Sequence, residues 1–296
     1  MAISVKQRLT PFLREGARVD WSNEDLPVCP IRQKTTGLDA NRRYFNHPEW
    51  AENYLKYCHR SDRFRSRWQA ASGSWDDKIV VDVGCGPGNI FATVGGHPKL
   101  LIGVDVSPGA LEIARKLGYM PLLGDAHDLP FISGFADIVA LNAALHHCDH
   151  MDQVLAEAAR LVAPGGILVT DHDPQLSAWN FRGLAKLAWN FRLPLYLLFK
   201  KGFHRSREEQ SIVLASEIHH EPGQGVTPEL FRNVLEPMEF RVELYPHNHD
   251  TGAEVLQGQM GRSDRKFRIA QRLSGLNPDS AEAGLSILSR ATRLAG

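Results

Sequence analysis

A glycine-rich turn directly after a β-branched run constrains the fold of this chain more than any other feature. The Ile-Val-Val run at 79–81 predicts a buried strand. Gly84, Gly86 and Gly88 then occupy alternate positions, where the lack of a Cβ atom lets the backbone approach a ligand closely. In an α/β unit, a strand that ends in such a loop places its ligand at the carboxyl edge of the sheet. The stretch therefore predicts a ligand site at that edge.

The spacing of the glycines distinguishes two kinds of ligand. A dinucleotide fingerprint is Gly-x-Gly-x-x-Gly, with a helix N-terminus directed at a pyrophosphate. Here the spacing is Gly-x-Gly-x-Gly, and Asp82 lies two residues before the first glycine. A carboxylate beside the loop would repel a pyrophosphate, whereas it suits a ligand that carries a positive charge. A dinucleotide oxidoreductase on the same scaffold is therefore the weaker alternative.

The segment 81–88, Val-Asp-Val-Gly-Cys-Gly-Pro-Gly, resembles the first motif of the class I S-adenosylmethionine-dependent methyltransferases. The resemblance covers 78–173 strongly and 216–245 loosely. It implies that the cofactor is S-adenosyl-L-methionine, that the loop wraps the methionine part, and that Asp82 helps to hold the amino group. The cofactor-binding residues that it implies are Asp82, Gly84, Cys85, Gly86, Gly88, Asp105, Val106, Asp125, Ala126, Asn142 and Ala143.

Polar residues at the ends of later strands extend this prediction. Asp105 ends the predicted second strand about 20 residues after the glycine loop, where an acid accepts hydrogen bonds from ribose hydroxyls. By resemblance, Asp125 accepts from the adenine amino group and the amide of Ala126 meets the ring. Asn142 and Ala143 would lie under the sulfonium, close to the methyl group that is transferred.

Strand and helix patterns alternate over 77–173, which predicts an α/β fold with a doubly wound parallel sheet. The resemblance implies a Rossmann-like, seven-stranded, mostly parallel sheet with helices on both faces and one antiparallel strand near its edge. We expect an N-terminal helical extension or cap at 1–75 and a methyltransferase domain at 76–296, with 174–225 as a helical insert or lid. Further predicted strands are Leu100–Val106, Met120–Leu123, Phe135–Asn142, Ile167–Thr170, Phe240–Tyr245 and Leu285–Arg290, and predicted helices are Val5–Arg14, Pro48–Ala70, Gly109–Leu117, Met151–Val162 and Thr227–Leu235.

The segment 145–150, Leu-His-His-Cys-Asp-His, raises the question of a metal site. Because a zinc site needs about four ligands in a tetrahedral array, which adjacent residues on one short segment rarely supply, we expect no metal. His146 or His147 is a candidate general base, since the pKa of histidine suits that role. His172 and His219 are further base candidates. Tentative substrate-contacting residues are His172, Glu217, His219 and His220.

Composition limits the partners of the chain. The formal net charge is zero, and the sequence lacks an aromatic and basic platform, so we expect no nucleic-acid partner. The four cysteines lack zinc spacing and the N-terminus lacks a secretory core, which together favour reduced thiols and a cytoplasmic location. The expected reaction is methyl transfer to a small, hydrophobic acceptor at oxygen, carbon or nitrogen. The alternative is a cofactor-binding regulator or assembly partner without catalysis.

Two regions outside the sheet have open interpretations. The four arginines at 60, 63, 65 and 67 predict either a solvated basic helix face or part of a cap over the cleft. Within the insert, an apolar stripe predicts a lid over an apolar pocket, peripheral membrane contact through 176–203, or a subunit interface; the oligomeric state stays open. The stripe comprises Trp179, Leu184, Leu187, Phe191, Leu195, Leu198 and Phe199, and the basic residues around it are Arg182, Lys186, Arg192, Lys200, Lys201, Arg205 and Arg207. Pro194 is expected to kink or break the helix.

Overall fold

A seven-stranded sheet organises the molecule, as the sequence predicted. The computed structural model describes residues 4–200, 202 and 204–295; Lys201 and Phe203 of the predicted insert lie outside them. The strands are β1 (Ile79–Val83), β2 (Leu100–Asp105), β3 (Met120–Leu123), β4 (Ala136–Asn142), β5 (Val162–Asp171), β6 (Phe240–His247) and β7 (Ser286–Arg293).

The strand order is β3-β2-β1-β4-β5-β7-β6. β1 pairs in parallel with both β2 and β4, so the glycine loop leaves the centre of the sheet. β7 is antiparallel to β5 and to β6, the edge strand. The predicted Rossmann-like sheet with one antiparallel strand near its edge is confirmed.

Helices cover both faces of this sheet. They are α1 (Val5–Leu9), α2 (Thr36–Asn46), α3 (Pro48–Tyr57), α4 (Asp62–Ser72), α5 (Asn89–Val94), α6 (Pro108–Lys116), α7 (Met151–Leu161), α8 (Leu176–Trp179), α9 (Gly183–Leu198), α10 (Arg207–Ser216), α11 (Pro228–Leu235) and α12 (Arg265–Leu273). Short 3₁₀ turns lie at Thr10–Phe12, Leu145–His147, Glu236–Met238, Ala253–Gln257 and Ala281–Ala283.

The core explains why the strand run is uniformly apolar. Val81 points to one face, where it joins a buried cluster that includes Leu155 of α7 and Phe231 of α11. Val80 points to the other face, where the cluster includes Trp68 of α4 and Leu111 of α6. Because both faces of a parallel sheet are covered, successive strand residues are all buried and no polar alternation is seen.

Several helix predictions need correction. The single helix predicted over Pro48–Ala70 is wrong, because the chain forms two helices there. His59 lies between them with φ of 59°, and the Ser61 side chain accepts a hydrogen bond from the amide of Phe64 and so caps α4. Of the kink or break predicted at Pro194, the break is wrong, since α9 continues to Leu198, and the kink stays a prediction. Outside the predicted helical insert, helices α2, α5 and α12 were not individually predicted.

The N-terminal segment packs directly on the sheet at α4. Phe64 and Trp68 of this helix are buried in the same cluster as Val80 of β1. The division of the chain at 75/76 and the insert at 174–225 stay predictions. Within the described part of the chain, no helix is both long and apolar enough to cross a membrane.

Candidate functional site

The glycine loop lies where the sequence placed it, at the carboxyl end of β1. Gly84, Gly86 and Gly88 have φ of 70°, 52° and 90°, in the left-handed region that glycine tolerates. A Cβ atom at Gly84 would lie 2.9 Å from the Cβ of Ala144, and one at Gly86 would enter open space. The loop therefore leaves its backbone exposed to a cavity of about 900 Å³ of empty space, which we call the loop cavity.

Ten of the eleven predicted cofactor residues line the loop cavity. They are Asp82, Gly84, Cys85, Gly86, Asp105, Val106, Asp125, Ala126, Asn142 and Ala143. The exception is Gly88, where a Cβ atom would collide with the ring of Tyr119 at 2.9 Å. Gly88 precedes α5 as its N-cap, so its contribution is to packing behind the loop.

Asp82 is a buried carboxylate with one unused oxygen. Its Oδ2 accepts a hydrogen bond of 2.7 Å from the hydroxyl of Tyr119, whereas its Oδ1 has no partner among the described residues. Burial raises the pKa of Asp82 to about 7, against the lowering effect of the Tyr119 hydrogen bond. A cationic group in the cavity would satisfy Oδ1 and favour the ionised form.

Asp105 is held in place by the backbone around it. Its Oδ2 accepts from the amide of Gly86 and its Oδ1 from the amide of Ser107, both at 2.8 Å. Burial raises the pKa of Asp105 to about 6, although these backbone hydrogen bonds oppose the shift. The carboxylate thus links the glycine loop to the start of α6, and its remaining lone pairs are available to hydroxyl groups in the cavity.

The far wall of the loop cavity also carries polar groups. Asp125 Oδ1 lies 2.6 Å from His127 Nδ1 and accepts the His127 amide at 3.0 Å. Burial raises the pKa of Asp125, but the hydrogen bonds from His127 outweigh it and the net shift is downward. The side-chain oxygen of Asn142 is buried without a partner among the described residues. The loop cavity therefore offers two buried oxygens without partners among the described residues, on Asp82 and Asn142, and open backbone at Gly86. These features fit the expected cofactor, which has an adenosyl part and an amino-acid part.

A second cavity adjoins the first and is lined by imidazoles. It has about 640 Å³ of empty space and shares Phe45, Tyr54, Ala143 and His147 with the loop cavity. Six of the thirteen histidines of the chain line this histidine cavity: His59, His146, His147, His172, His220 and His249. Tyr44, Pro174, Trp179 and Leu285 are also among its walls. Sequence reasoning missed His59 and His249, since they lie in segments without a motif.

His146 lies between two carboxylates. Its Nδ1 is 2.8 Å from Asp173 Oδ1, and its Nε2 is 3.5 Å from Glu217 Oε2. Burial disfavours a charge on this ring, but Asp173 and Glu217 outweigh burial and raise the pKa of His146 to about 9. His220 Nδ1 lies 2.8 Å from the same Glu217 oxygen, and His220 Nε2 is buried without a partner among the described residues.

His147 lies where the two cavities meet. Its Nδ1 is 2.5 Å from the backbone oxygen of Ser216, and because a carbonyl only accepts, Nδ1 carries the proton. The lone pair is therefore on Nε2. Burial, followed by the charge of neighbouring His146, lowers the pKa of His147 to about 4. Ligand atoms of His146, His147 and Glu217 all lie within 4.8 Å of one another, close enough for these residues to hold a metal ion.

A buried charge cluster is connected to the histidine cavity through His172, one of the lining residues. Arg67 Nε donates to Asp171 Oδ2 at 2.9 Å, and both side chains are fully buried. His247 Nε2 and the amide of His172 each lie 2.7 Å from Asp171 Oδ1. Burial opposes the charge of Asp171, but Arg67 and these histidines hold its pKa well below the usual range. Arg67 thus does not belong to a solvated basic face, because it is an internal ion-pair partner.

The remaining candidates occupy different positions around this cavity. His172 has φ of 64° and a buried ring, and burial lowers its pKa well below the usual value. Glu217 and His220 line the cavity, whereas His219 lines neither cavity and bonds through Nε2 to the backbone oxygen of Cys148 at 3.0 Å. The described stripe residues of α9 line neither cavity; Leu184, Phe191 and Phe199 are 71%, 62% and 73% exposed.

Comparisons with known proteins agree with this geometry. The model of the family described as "Methyltransferase domain" matches residues 81–170. A demethylmenaquinone methyltransferase from Geobacillus kaustophilus is 31% identical over 165 residues, which cover 52% of this chain and 69% of that protein. A phthiotriol/phenolphthiotriol dimycocerosates methyltransferase from Mycobacterium leprae is 35% identical over 51% of this chain and 51% of that protein.

The fold is shared with solved structures at low identity. The cyclase SpnF superimposes with a TM-score of 0.51 at 18% identity, over 90% of this chain and 98% of that one. The chain spans about half the length of several curated relatives that it matches. The residues matched by the family model contain the glycine loop and most of the strands β1 to β5, and the ends of β1 to β4 frame the loop cavity.

Proposed function

This chain belongs to the class I S-adenosylmethionine-dependent methyltransferase family, and we propose that it methylates a small, largely apolar acceptor in the histidine cavity. The observation that carries the proposal is that this cavity adjoins the loop cavity at Ala143 and His147. When bound, S-adenosylmethionine supplies an electrophilic methyl group on sulfur. A nucleophile beside Ala143 would then lie next to that methyl group, which is the positioning that methyl transfer requires.

The residues proposed to hold the cofactor are those of the loop cavity. Asp82 would bind the amino group through its unused Oδ1. Asp105 would accept from the ribose hydroxyls while it keeps its two backbone hydrogen bonds. Asp125 and Ala126 would contact the adenine. A dinucleotide does not suit this site, because Asp82 would repel a pyrophosphate and the glycine spacing differs from the dinucleotide fingerprint. A non-catalytic role is not favoured by the methyltransferase relatives.

The walls of the histidine cavity indicate the chemistry of the acceptor. Rings of Phe45, Tyr54 and Trp179 offer apolar surface, while His146, His147 and Glu217 lie at one end. An apolar molecule with one polar group, such as a phenol or a hydroquinone, matches both parts. The Nε2 lone pair of His147 belongs to the polar end of the cavity. There it would either accept a proton from the acceptor or bind a cation that holds the acceptor oxygen. The names of the relatives, which include a quinone and a lipid methyltransferase, are consistent with this class.

The test is turnover with a panel of phenols and hydroquinones, measured as S-adenosylhomocysteine formed. Trp179→Ala should raise KM for apolar acceptors about tenfold or more, because a buried aromatic wall is removed. Binding of S-adenosylhomocysteine should stay unchanged. Leu273→Ala, at an exposed site on α12, is the matched control and should alter neither quantity. Equal KM values for wild type and Trp179→Ala would place the acceptor elsewhere.

We also propose that the exposed stripe of α9 contacts an anionic membrane surface. No Asp or Glu occurs between Asp173 and Glu208, whereas seven Lys or Arg residues do: Arg182, Lys186, Arg192, Lys200, Lys201, Arg205 and Arg207. An exposed leucine and phenylalanine stripe with basic flanks suits an interface rich in anionic lipid. Such contact, at the cytoplasmic side, would bring the protein to apolar acceptors. The four free cysteines agree with a cytoplasmic location.

Vesicle flotation tests the membrane contact. The full chain should float with vesicles that contain anionic phosphatidylglycerol and should not float with neutral phosphatidylcholine. Leu187→Ser combined with Phe191→Ser should abolish flotation, since both side chains are exposed on the stripe. Ile269→Ser combined with Leu273→Ser, at exposed positions of α12, should leave it intact. A stable dimer that the stripe variant converts to a monomer would instead identify the stripe as a subunit interface.

A further inference from the structure

We propose that His146, His147 and Glu217 form a binding site for a divalent first-row transition ion, of the Zn²⁺ type, at the acceptor end of the histidine cavity. The proposal deepens the proposed function, on which it rests, because such an ion would hold the oxygen of the acceptor. The sequence argued against a metal from adjacent residues of one segment. Glu217 comes from a different segment, at the end of α10, and completes a two-histidine, one-carboxylate set.

The spacing of the ligand atoms is the first support. Nε2 of His146 lies 3.5 Å from Glu217 Oε2. A charge-assisted hydrogen bond is shorter, about 2.7–2.9 Å. Two ligands of a tetrahedral ion with bonds of about 2.1 Å lie about 3.4 Å apart. The separation of His146 and Glu217 matches a shared cation better than a direct hydrogen bond. The ligand atoms of all three residues lie within 4.8 Å of one another, so the set has to contract slightly when an ion binds.

The groups behind the ligands are the second support. Nδ1 of His146 is bonded to Asp173, and Nδ1 of His147 is bonded to the backbone oxygen of Ser216. When either ring is neutral, its Nδ1 carries the proton that is donated to Asp173 or Ser216. The lone pair on Nε2 then points away from that hydrogen-bond acceptor. Metal-binding histidines in proteins are oriented in this way, with the second nitrogen donating to a carboxylate or a carbonyl. His220 similarly fixes the Glu217 carboxylate.

The donor set indicates the kind of ion. Imidazole nitrogen suits Zn²⁺ and its transition-metal neighbours, whereas Mg²⁺ prefers an all-oxygen shell. Three protein ligands leave at least one coordination position for an external molecule, as in catalytic zinc sites. Since all three residues line the histidine cavity, that position faces the volume proposed for the acceptor.

The experiment is titration of the tag-free full chain, after dialysis against a chelator, with Zn²⁺ in competition with a chromophoric chelator. Wild type should bind one equivalent. Glu217→Gln and His147→Gln should each lose about 100-fold or more in affinity, and Asp173→Asn about 10–100-fold, since it supports a ligand without being one. His97→Ala is the control, because the side chain of His97 is 98% exposed, and it should bind as wild type does.

A spectroscopic measurement on the wild-type protein tests the site without variants, which can fail to fold. Co²⁺ added to wild type should give visible bands of a four- or five-coordinate site, and phenol should change those bands. Absence of Zn²⁺ binding, or equal affinity in wild type and Glu217→Gln when both melt at the same temperature, would overturn the proposal. Methyl transfer at full rate by the chelator-treated protein would overturn the ion's role in holding the acceptor while leaving the proposed function intact.

Discussion

The loop cavity and the histidine cavity are neighbours that are built in opposite ways. The first is formed mainly by one contiguous motif and the ends of four adjacent parallel strands, with further lining residues from α2 and α3, and its polar groups include backbone, carboxylates and the Asn142 amide. The second draws side chains from α2, α3, the turn at 145–147, the end of β5, the end of α10 and the start of β7. The cofactor half of this site therefore depends mainly on the sheet, whereas the acceptor half depends on the segments added to it.

The largest effect is expected at Arg67, because this buried arginine neutralises Asp171 and contacts His172, a residue that lines the histidine cavity. Arg67→Met would leave Asp171 buried without its cation, which costs about 3–5 kcal/mol of unfolding free energy. Urea denaturation measures the loss. Arg63→Met is the matched control, because Arg63 is 62% exposed. Its guanidinium donates to the backbone oxygen of Asp250 and lies 3.6 Å from the Asp250 carboxylate, so only about 1 kcal/mol is expected for these exposed contacts.

The folded Arg67→Met protein also tests whether the two cavities are energetically independent. Because no loop-cavity residue is bonded to Arg67, this variant should still bind S-adenosylhomocysteine with near wild-type affinity when it is kept below its melting temperature. Simultaneous loss of cofactor binding in the folded variant would show that the two cavities are one energetic unit.

Asp105→Ala should produce the next largest effect, confined to the loop cavity. The variant loses the proposed ribose acceptor and frees the amides of Gly86 and Ser107. We expect the affinity for S-adenosylhomocysteine to fall about 100-fold, or about 2.7 kcal/mol, in titration calorimetry. Zn²⁺ binding should not change. An affinity within threefold of wild type would mean that Asp105 does not contact the ligand.

The sequence predicted one of these cavities much better than the other, for a physical reason. Strand ends at Asp105, Asp125 and Asn142 all meet at one sheet edge once the topology is known, so a linear motif locates them. No such rule brings His59 or His249 toward His172. Their positions depend on a left-handed residue between α3 and α4 and on the loop after β6, neither of which has a periodic signal.

The partial success with the insert has a similar cause. Spacing alone identified the stripe of α9, because an apolar helix face is periodic. It could not tell which way the face points. In the structure the stripe members from Leu184 onward are exposed, whereas Trp179, the first member of the stripe, and Glu217, near the other end of the insert, line the histidine cavity. Tyr119 was missed because its partner, Asp82, is close only across the sheet.

The pH dependence of cofactor binding should show whether the Asp82 carboxylate contacts the ligand. A ligand with an ammonium group binds the ionised form of Asp82, whose pKa is raised to about 7 by burial. Affinity for S-adenosylhomocysteine should therefore fall as the pH is lowered, by at least about tenfold between pH 7.5 and 5.5. Asp82→Asn should bind weakly with a flatter profile. A pH-independent wild-type affinity would contradict the proposed role.

Tyr119→Phe should have the smallest effect and should act on the loop cavity through Asp82 alone. The Tyr119 hydroxyl donates to Asp82 and so lowers its pKa; without it, the pKa of Asp82 rises further. The midpoint of the affinity profile should move upward by about one pH unit, which lowers the affinity at pH 7 about fivefold, or about 1 kcal/mol. Tyr57→Phe, at a residue that is 68% exposed, should keep the wild-type midpoint. If Tyr119→Phe also keeps that midpoint, the carboxyl group whose ionisation controls binding is Asp105. Asp105 would then bind the amino group, and Asp82 the ribose hydroxyls.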